Sequence, residues 1–271
     1  MKILSVLIAA IALFTVNQAQ AQILNFAISG DNGAGGDFDY SGQGAITDTG
    51  NNFWNQINLG TYTTTDGNGN EFVGGGVTGG GAPQQKGGAY FNAYSDGVTT
   101  NNITLTTTNN ISIYGSGNGI GQGTNGTAQA FFTPFEKETS GPVTFTLNNV
   151  SAGTYNLFLY GESSNWGGQA TTFTAQTDIT GASSLTANYS TPNISSFVQG
   201  VNYVEFQNLA VGVGGTITFN FTAASGFSEG DFGGLQLQTV AVPEPSTYVL
   251  MLAGLIACFA FWKRGDKYNQ A

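Results

Sequence analysis

Histidine is absent from the 271-residue chain, and cysteine occurs once, at Cys258. Without histidine there is no Ser-His-Asp or Cys-His nucleophile and no His-ligated zinc. A single cysteine allows no intrachain disulfide, so a packed core has to supply the stability that secreted domains often draw from cross-links. Cations are scarce as well. Of six Lys and Arg, only Lys86 and Lys137 fall between residues 22 and 241, against fourteen carboxylates, which leaves that span at −12. Such a surface repels phosphate backbones and anionic headgroups, which excludes nucleic acid and anionic lipid as its partners, and it favours divalent cations. Long helical patterns are also missing. Gly, Thr, Asn and Ser dominate instead, with 41 glycines, the composition of an all-β domain with many turns.

What is present is clearest at the ends. Lys2 precedes an apolar run from Ile3 to Val16, and Ala19-Gln20-Ala21 follows as a small-x-small site. That order is the layout of a secretory signal peptide, residues 1–21, which predicts passage through the Sec export machinery and cleavage after Ala21. At the other end Tyr248 to Trp262 is apolar, broken only by Gly254, and Lys263 and Arg264 follow at once. Fifteen residues rise about 22 Å as a helix, short of a hydrocarbon core of about 30 Å. The flanks nonetheless predict a single transmembrane helix over 248–262. Tyr248 and Trp262 stand where interfacial aromatics belong, and the cations on one side place the tail in the cytoplasm and the body outside.

Pro243-Glu244-Pro245 stands just before that run, and its prolines stop strand or helix from passing through. Pro-Glu-Pro, an apolar helix and a basic C-terminus in this order resemble the PEP-CTERM sorting signal, from Val242 to Lys267. The resemblance implies an exosortase, a membrane-embedded cysteine peptidase, as partner and removal of the tail near Pro243–Pro245. It also implies an inner-membrane-anchored precursor bound for the cell surface or extracellular matrix, alongside exopolysaccharide. The basic cluster is thinner than the pattern, with Gly265 and Asp266 interrupting it.

Between the ends, strands are legible by period-2 alternation. Val143, Phe145 and Leu147 alternate with Thr144 and Thr146, and Asn148-Asn149 and Ser151-Ala152-Gly153 supply turn residues before a strand at Thr154–Tyr160. Ala170–Thr177, Tyr203–Leu209, Thr216–Thr222 and Leu235–Val240 read the same way, as do Ile23–Ile28, Phe53–Leu59, Ala89–Tyr94, Ile103–Thr108 and Ala128–Phe132. No fixed-period repeat is present, which speaks against a solenoid. The stretch Val143–Gly161, with Gly153-Thr-Tyr at its centre, resembles the central hairpin of galactose-binding-like and carbohydrate-binding-module sandwiches. Gly215-Thr-Ile-Thr-Phe219 and Phe232-Gly-Gly-Leu-Gln-Leu237 resemble their closing strands. The resemblance covers roughly Val143 to Leu237 and implies a jelly-roll and contact with a glycan. With the short strands and polar turns it gives an antiparallel jelly-roll-like β-sandwich over residues 22–241, flanked by the signal peptide and the sorting tail of 242–271.

Few residues carry candidate chemistry. Asp31, Asp37 and Asp39 share a Gly-rich loop, and Asp231 joins them if the first and last strands are neighbours, an arrangement suited to Ca2+. A solvated acidic turn explains the same residues. Asp66-Gly-Asn-Gly-Asn70 lacks the Gly and Glu that an EF-hand needs at its sixth and twelfth positions, and Gly121-x-Gly123-x-x-Gly126 has no strand-to-helix setting. Trp166, in the polar loop Ser163–Gly168, is a candidate for stacking on a sugar ring, and Trp54 a second; either ring folded over a core edge is the alternative. A glycosidase needs two carboxylates flanking a cleft, and Glu162 and Glu205 are the pair best placed on strands. The expectation is a non-catalytic, polysaccharide-associated surface protein. A purely structural matrix protein and a carboxylate-based hydrolase are the alternatives.

Overall fold

The computed structural model describes residues 21–29, 42–46, 53–58, 63–65, 71–73, 94–97, 99, 101–107, 113–114, 135–138, 142–161, 169–189, 196–228, 230–240 and 254–257. The chain divides into two compact units, Gln22–Val240 and the two ends, Met1–Ala21 with Ala241–Ala271. Of the span expected at 248–262, residues 254–257 are described and are helical. Among the described residues no helix is long and apolar enough to cross a membrane.

The body is built from strands. They are β1 (Ile23–Ser29), β2 (Asn55–Asn58), β3 (Thr63–Thr65), β4 (Glu71–Val73), β5 (Thr104–Thr107), β6 (Ile113–Tyr114), β7 (Phe135–Glu138) and β8 (Val143–Asn148). The second half adds β9 (Gly153–Tyr160), β10 (Gln169–Thr177), β11 (Ser183–Tyr189), β12 (Tyr203–Val211), β13 (Ile217–Ala223), β14 (Gly230–Phe232) and β15 (Gly234–Thr239). Two five-stranded sheets dominate, ordered β12-β9-β15-β1-β2 and β11-β10-β13-β8-β5, with smaller sheets β14-β7-β6 and β3-β4. The first and last strands of the body are neighbours, Leu24 facing Leu237 and Phe26 facing Leu235. Pairing is antiparallel except between β1 and β2, which run parallel. The 25 residues separating Ser29 from Asn55 are ample for the crossover that a parallel pair requires.

Alternation explains how the sheets meet. In β8, Val143, Phe145 and Leu147 are buried while Thr144, Thr146 and Asn148 are not, and Ile217, Phe219 and Phe221 do the same in β13. From the other sheet Leu24, Phe26, Leu157, Leu159, Val204, Phe206, Leu235 and Leu237 join the same core. The result is an all-β, two-sheet sandwich with one interior. Its centre is aromatic. Phe145 stacks on Phe219 at 5.3 Å and on Phe221 at 6.3 Å, and Phe232 packs 5.2 Å from Phe145 and 5.5 Å from Phe221. Each such ring contributes about 1.5–3 kcal/mol by leaving water. That burial replaces the missing disulfide as the source of stability.

One irregularity keeps the pattern consistent. Between Phe206 and Leu209 the pairing with β9 slips, so three steps on β12 match two, from Leu157 to Tyr155, on its partner. Asn208 takes a positive φ of 55° there, and its N–H donates to Asn156 Oδ1 at 3.0 Å. The bulge changes parity, so that even-numbered Val204 and Phe206 and odd-numbered Leu209 and Val211 all face the core.

Candidate functional site

Each sheet has an outer face, and the two differ. On the first sheet, Asn25 and Ala27 of β1, Gln236 of β15, Phe158 and Tyr160 of β9 and Tyr203 of β12 alternate with the core residues and so point away from the interior. Ala27, Trp54, Phe158 and Tyr160 form a second buried cluster, with Ala45, Ile46, Phe197 and Tyr203 packed against it. Tyr160 is its hub, with Phe197 at 5.3 Å, Tyr203 at 5.7 Å and Trp54 at 6.4 Å between ring centroids.

Aromatic rings beside amides are the make-up of a ligand site. Here the chain itself takes the place of the ligand. Residues 42–46 lie across the cluster as a strap. Ala45 N–H donates to the Tyr160 hydroxyl at 2.7 Å, and Ile46 exchanges two 3.2 Å bonds with the Gln236 amide. Gln236 also accepts from the Tyr160 hydroxyl and donates to Asn25 Oδ1 at 2.9 Å, while Asn25 donates to Phe53 O at 2.9 Å. The Trp54 indole N–H donates to Gly42 O at 2.8 Å. A Cβ at Gly44 would lie 2.2 Å from Gln236 Oε1, so any larger residue there would push aside the amide that holds the strap.

On the second sheet no described segment lies across the outer face, which is polar. Pairing aligns Thr106, Thr146, Thr218 and Gln176 in one row across four strands. Thr144, Asn220, Thr174 and Ser184 form the next, then Thr222, Thr172 and Thr186. All are intermediate or exposed. None is charged or aromatic. Neighbours stand about 4.8 Å apart across strands and about 6.8 Å along them. Some hydroxyls pair across strands: Thr146 with Thr218 at 3.3 Å, Thr172 with Thr186 at 3.1 Å, and Thr174 with Ser184 at 2.7 Å. A hydroxyl offers one donor and two acceptor sites, so one such bond leaves each with capacity for a ligand.

The residues singled out in the sequence are spread widely. Trp54 is 3% exposed and its ring offers no open face. Asp231, on β14, is buried, and the Thr171 hydroxyl bridges its backbone, accepting from its N–H at 2.8 Å and donating to its O at 3.0 Å. Among the described residues no three His, Cys, Asp or Glu come together as a metal site. Asp31, Asp37, Asp39, Glu162 and Trp166 lie outside the described residues, as do Pro243, Glu244, Pro245, Tyr248, Trp262, Lys263 and Arg264. Glu205 sits on β12 facing Phe158 across the pair. Burial, and then the charge of Glu205, push the Tyr203 phenol above its ordinary value. In the main core burial raises Tyr94 and Tyr155, and the nearness of Tyr94 adds to the rise at Tyr155. The strap and the hydroxyl rows were not foreseen. The alternating threonines were the available signal for the rows, but only the pairing register brings them together.

Comparison with known proteins identifies the tail. Residues 241–264 match the PEP-CTERM protein-sorting motif. The chain carries that motif, which marks an exported protein with a membrane-anchored precursor and implies an exosortase as its processing partner. No curated protein matches the chain. Similar solved structures include TmCBM61 in complex with beta-1,4-galactotriose, at 9% identity and a TM-score of 0.30, covering 51% of this chain and 89% of that one. Another is the enzymatically active domain of tailspike protein 4 of bacteriophage CBA120, at 13% identity and a TM-score of 0.27, covering 51% of this chain and 19% of that one. Likenesses this low carry no argument about function.

Proposed function

We propose that this chain is a non-catalytic surface or matrix protein whose second sheet lies against a neutral polysaccharide. The observation that carries this reading is the uncharged hydroxyl and amide face on a body of net charge −12. That charge repels acidic polymers, and the neutral face leaves uncharged ones as the matching partner. One hydrogen bond exchanged with water nets only about 0.5–1.5 kcal/mol. Affinity therefore comes from repetition along the polymer, as in any multivalent contact. The strand path supports a jelly-roll, because β1-β15-β9-β12 and β8-β13-β10-β11 alternate along the chain in the manner of two Greek keys. Cleavage after Ala21, a transmembrane helix over 248–262 and exosortase cutting near Pro243–Pro245 complete the route to the surface. Trp166 remains the proposed stacking ring, and Asp31, Asp37 and Asp39 the proposed Ca2+ ligands.

Cosedimentation of the compact unit Gln22–Val240 with insoluble neutral and acidic polysaccharides tests the reading. Binding to a neutral polymer only is expected. Binding to none, with the protein still in the matrix fraction of cells, would favour a purely structural role. For the route, Pro243→Ala with Pro245→Ala should leave the precursor uncut in membranes; normal release would contradict it.

A further inference from the structure

Among the described residues the two main sheets end in four edge strands: β12 and β2 on the first, β11 and β5 on the second. Open edges invite pairing with other chains, and folded proteins blunt them by shortness, charge, proline or bulges. Three of the four are blunted. β2 and β5 have four residues each, and β12 carries both Glu205 and the bulge before Leu209. β11 is different. It runs seven residues, Ser-Ser-Leu-Thr-Ala-Asn-Tyr, without charge, proline or glycine, and pairs with β10 in unbroken register from Ser183 to Tyr189.

The direction of its free groups follows from one bond. Asn188 N–H turns away from β10 and donates to Gly200 O at 3.0 Å. Outward and inward groups alternate along an antiparallel strand. Ser184 and Thr186 therefore direct their N–H and C=O groups outward as well, and among the described residues no strand lies beyond them. Between them stands Leu185, 39% exposed and in register with buried Phe173, so its side chain lies on the core side of the sheet.

We infer that β11 is the docking edge for a second copy of this chain, paired antiparallel about a two-fold axis through Leu185. In that arrangement Ser184 of each copy exchanges both backbone bonds with Thr186 of the other, and the two leucines sit directly opposite. A two-fold contact requires a self-complementary patch, and Ser-Leu-Thr is one. Charge selects the same place. Two bodies at −12 repel, and this edge presents no charge to the approach. The join carries the hydroxyl rows from one copy into the next, since Thr186 and Ser184 belong to the outer face. One strand pair buries less than about 1,200 Å2, which makes the association weak in dilute solution and effective where copies crowd on a surface.

Opposed residues of a non-hydrogen-bonded pair have Cα atoms about 4.5 Å apart, within disulfide reach. The test is Leu185→Cys in the full-length chain with Cys258→Ser, purified in detergent and mildly oxidised. Val213→Cys in the same background is the control, at a turn position 98% exposed. A disulfide-linked dimer is expected for Leu185→Cys with only a trace for the control; equal cross-linking of the two overturns the inference. In sedimentation the unsubstituted chain should show a concentration-dependent doubling of mass, and Leu185→Lys should abolish it. If that association persists unchanged in the lysine variant, the edge is not the interface.

Discussion

The two outer faces of the sandwich end in opposite conditions. The second sheet alternates apolar and polar residues, whereas β9 of the first runs Leu157-Phe158-Leu159-Tyr160 and is buried on both faces. On the first sheet the outward positions are large rings and amides, Phe158, Tyr160, Asn25 and Gln236, and residues 42–46 cover them with matched hydrogen bonds. On the second they are threonine, serine, asparagine and glutamine, which need no cover. Ring burial turns the first face into a second core. Short hydroxyl side chains leave the second as surface. The lesson is that an aromatic and amide cluster is not by itself a binding site, because the chain's own peptide groups can be what it binds.

Removing the hub of the roofed face should have the largest effect. Tyr160→Ala leaves a cavity among Trp54, Phe197 and Tyr203, and chemical denaturation should show a loss of about 3–5 kcal/mol. Gln236→Leu strands the Tyr160 hydroxyl, the Ile46 backbone and Asn25 Oδ1 and should cost about 1–3 kcal/mol, against about 1 kcal/mol for Tyr160→Phe. Alkali acts through phenols packed into both the main core and the covered face. The fold prefers neutral phenols at Tyr94, Tyr155 and Tyr203, whereas the unfolded chain ionises them near pH 10. That contribution is complete below about pH 10 and is lost as pH rises beyond it toward the raised folded values. Melting temperature should fall there, and Tyr203→Phe should soften the fall. The smallest stability effect belongs to the hydroxyl face, where Thr146→Val, Thr174→Val and Thr218→Val together keep strand shape and should stay within about 0.5 kcal/mol of the unsubstituted chain per site.

Much of this was legible. The strands with strong alternation, β8, β9, β10, β12, β13 and β15, lie where the pattern predicts, because each buries one face fully. β11 escaped notice, since an edge strand reading Ser-Ser-Leu-Thr-Ala-Asn-Tyr buries little and so shows no clear period. The parallel partnership of β1 with β2 also escaped, because pairing direction depends on a crossover that period-2 patterning does not record. Of the candidate sites, Trp54 follows Phe53 just before β2 and its ring is buried. What could not be read was the strap, since Gly42 to Ile46 carries no signal of what it covers until Tyr160 and Gln236 stand beneath it.

Under the proposed function the two faces divide the labour, the roofed one holding the fold and the hydroxyl face contacting the polymer. Cosedimentation of the Thr146→Val, Thr174→Val, Thr218→Val triple variant with a neutral polysaccharide that retains the unsubstituted protein tests it most directly, with melting measured on the same sample. The account predicts an unchanged melting transition and lost retention. Retention equal to that of the unsubstituted protein, with the fold intact, would contradict it.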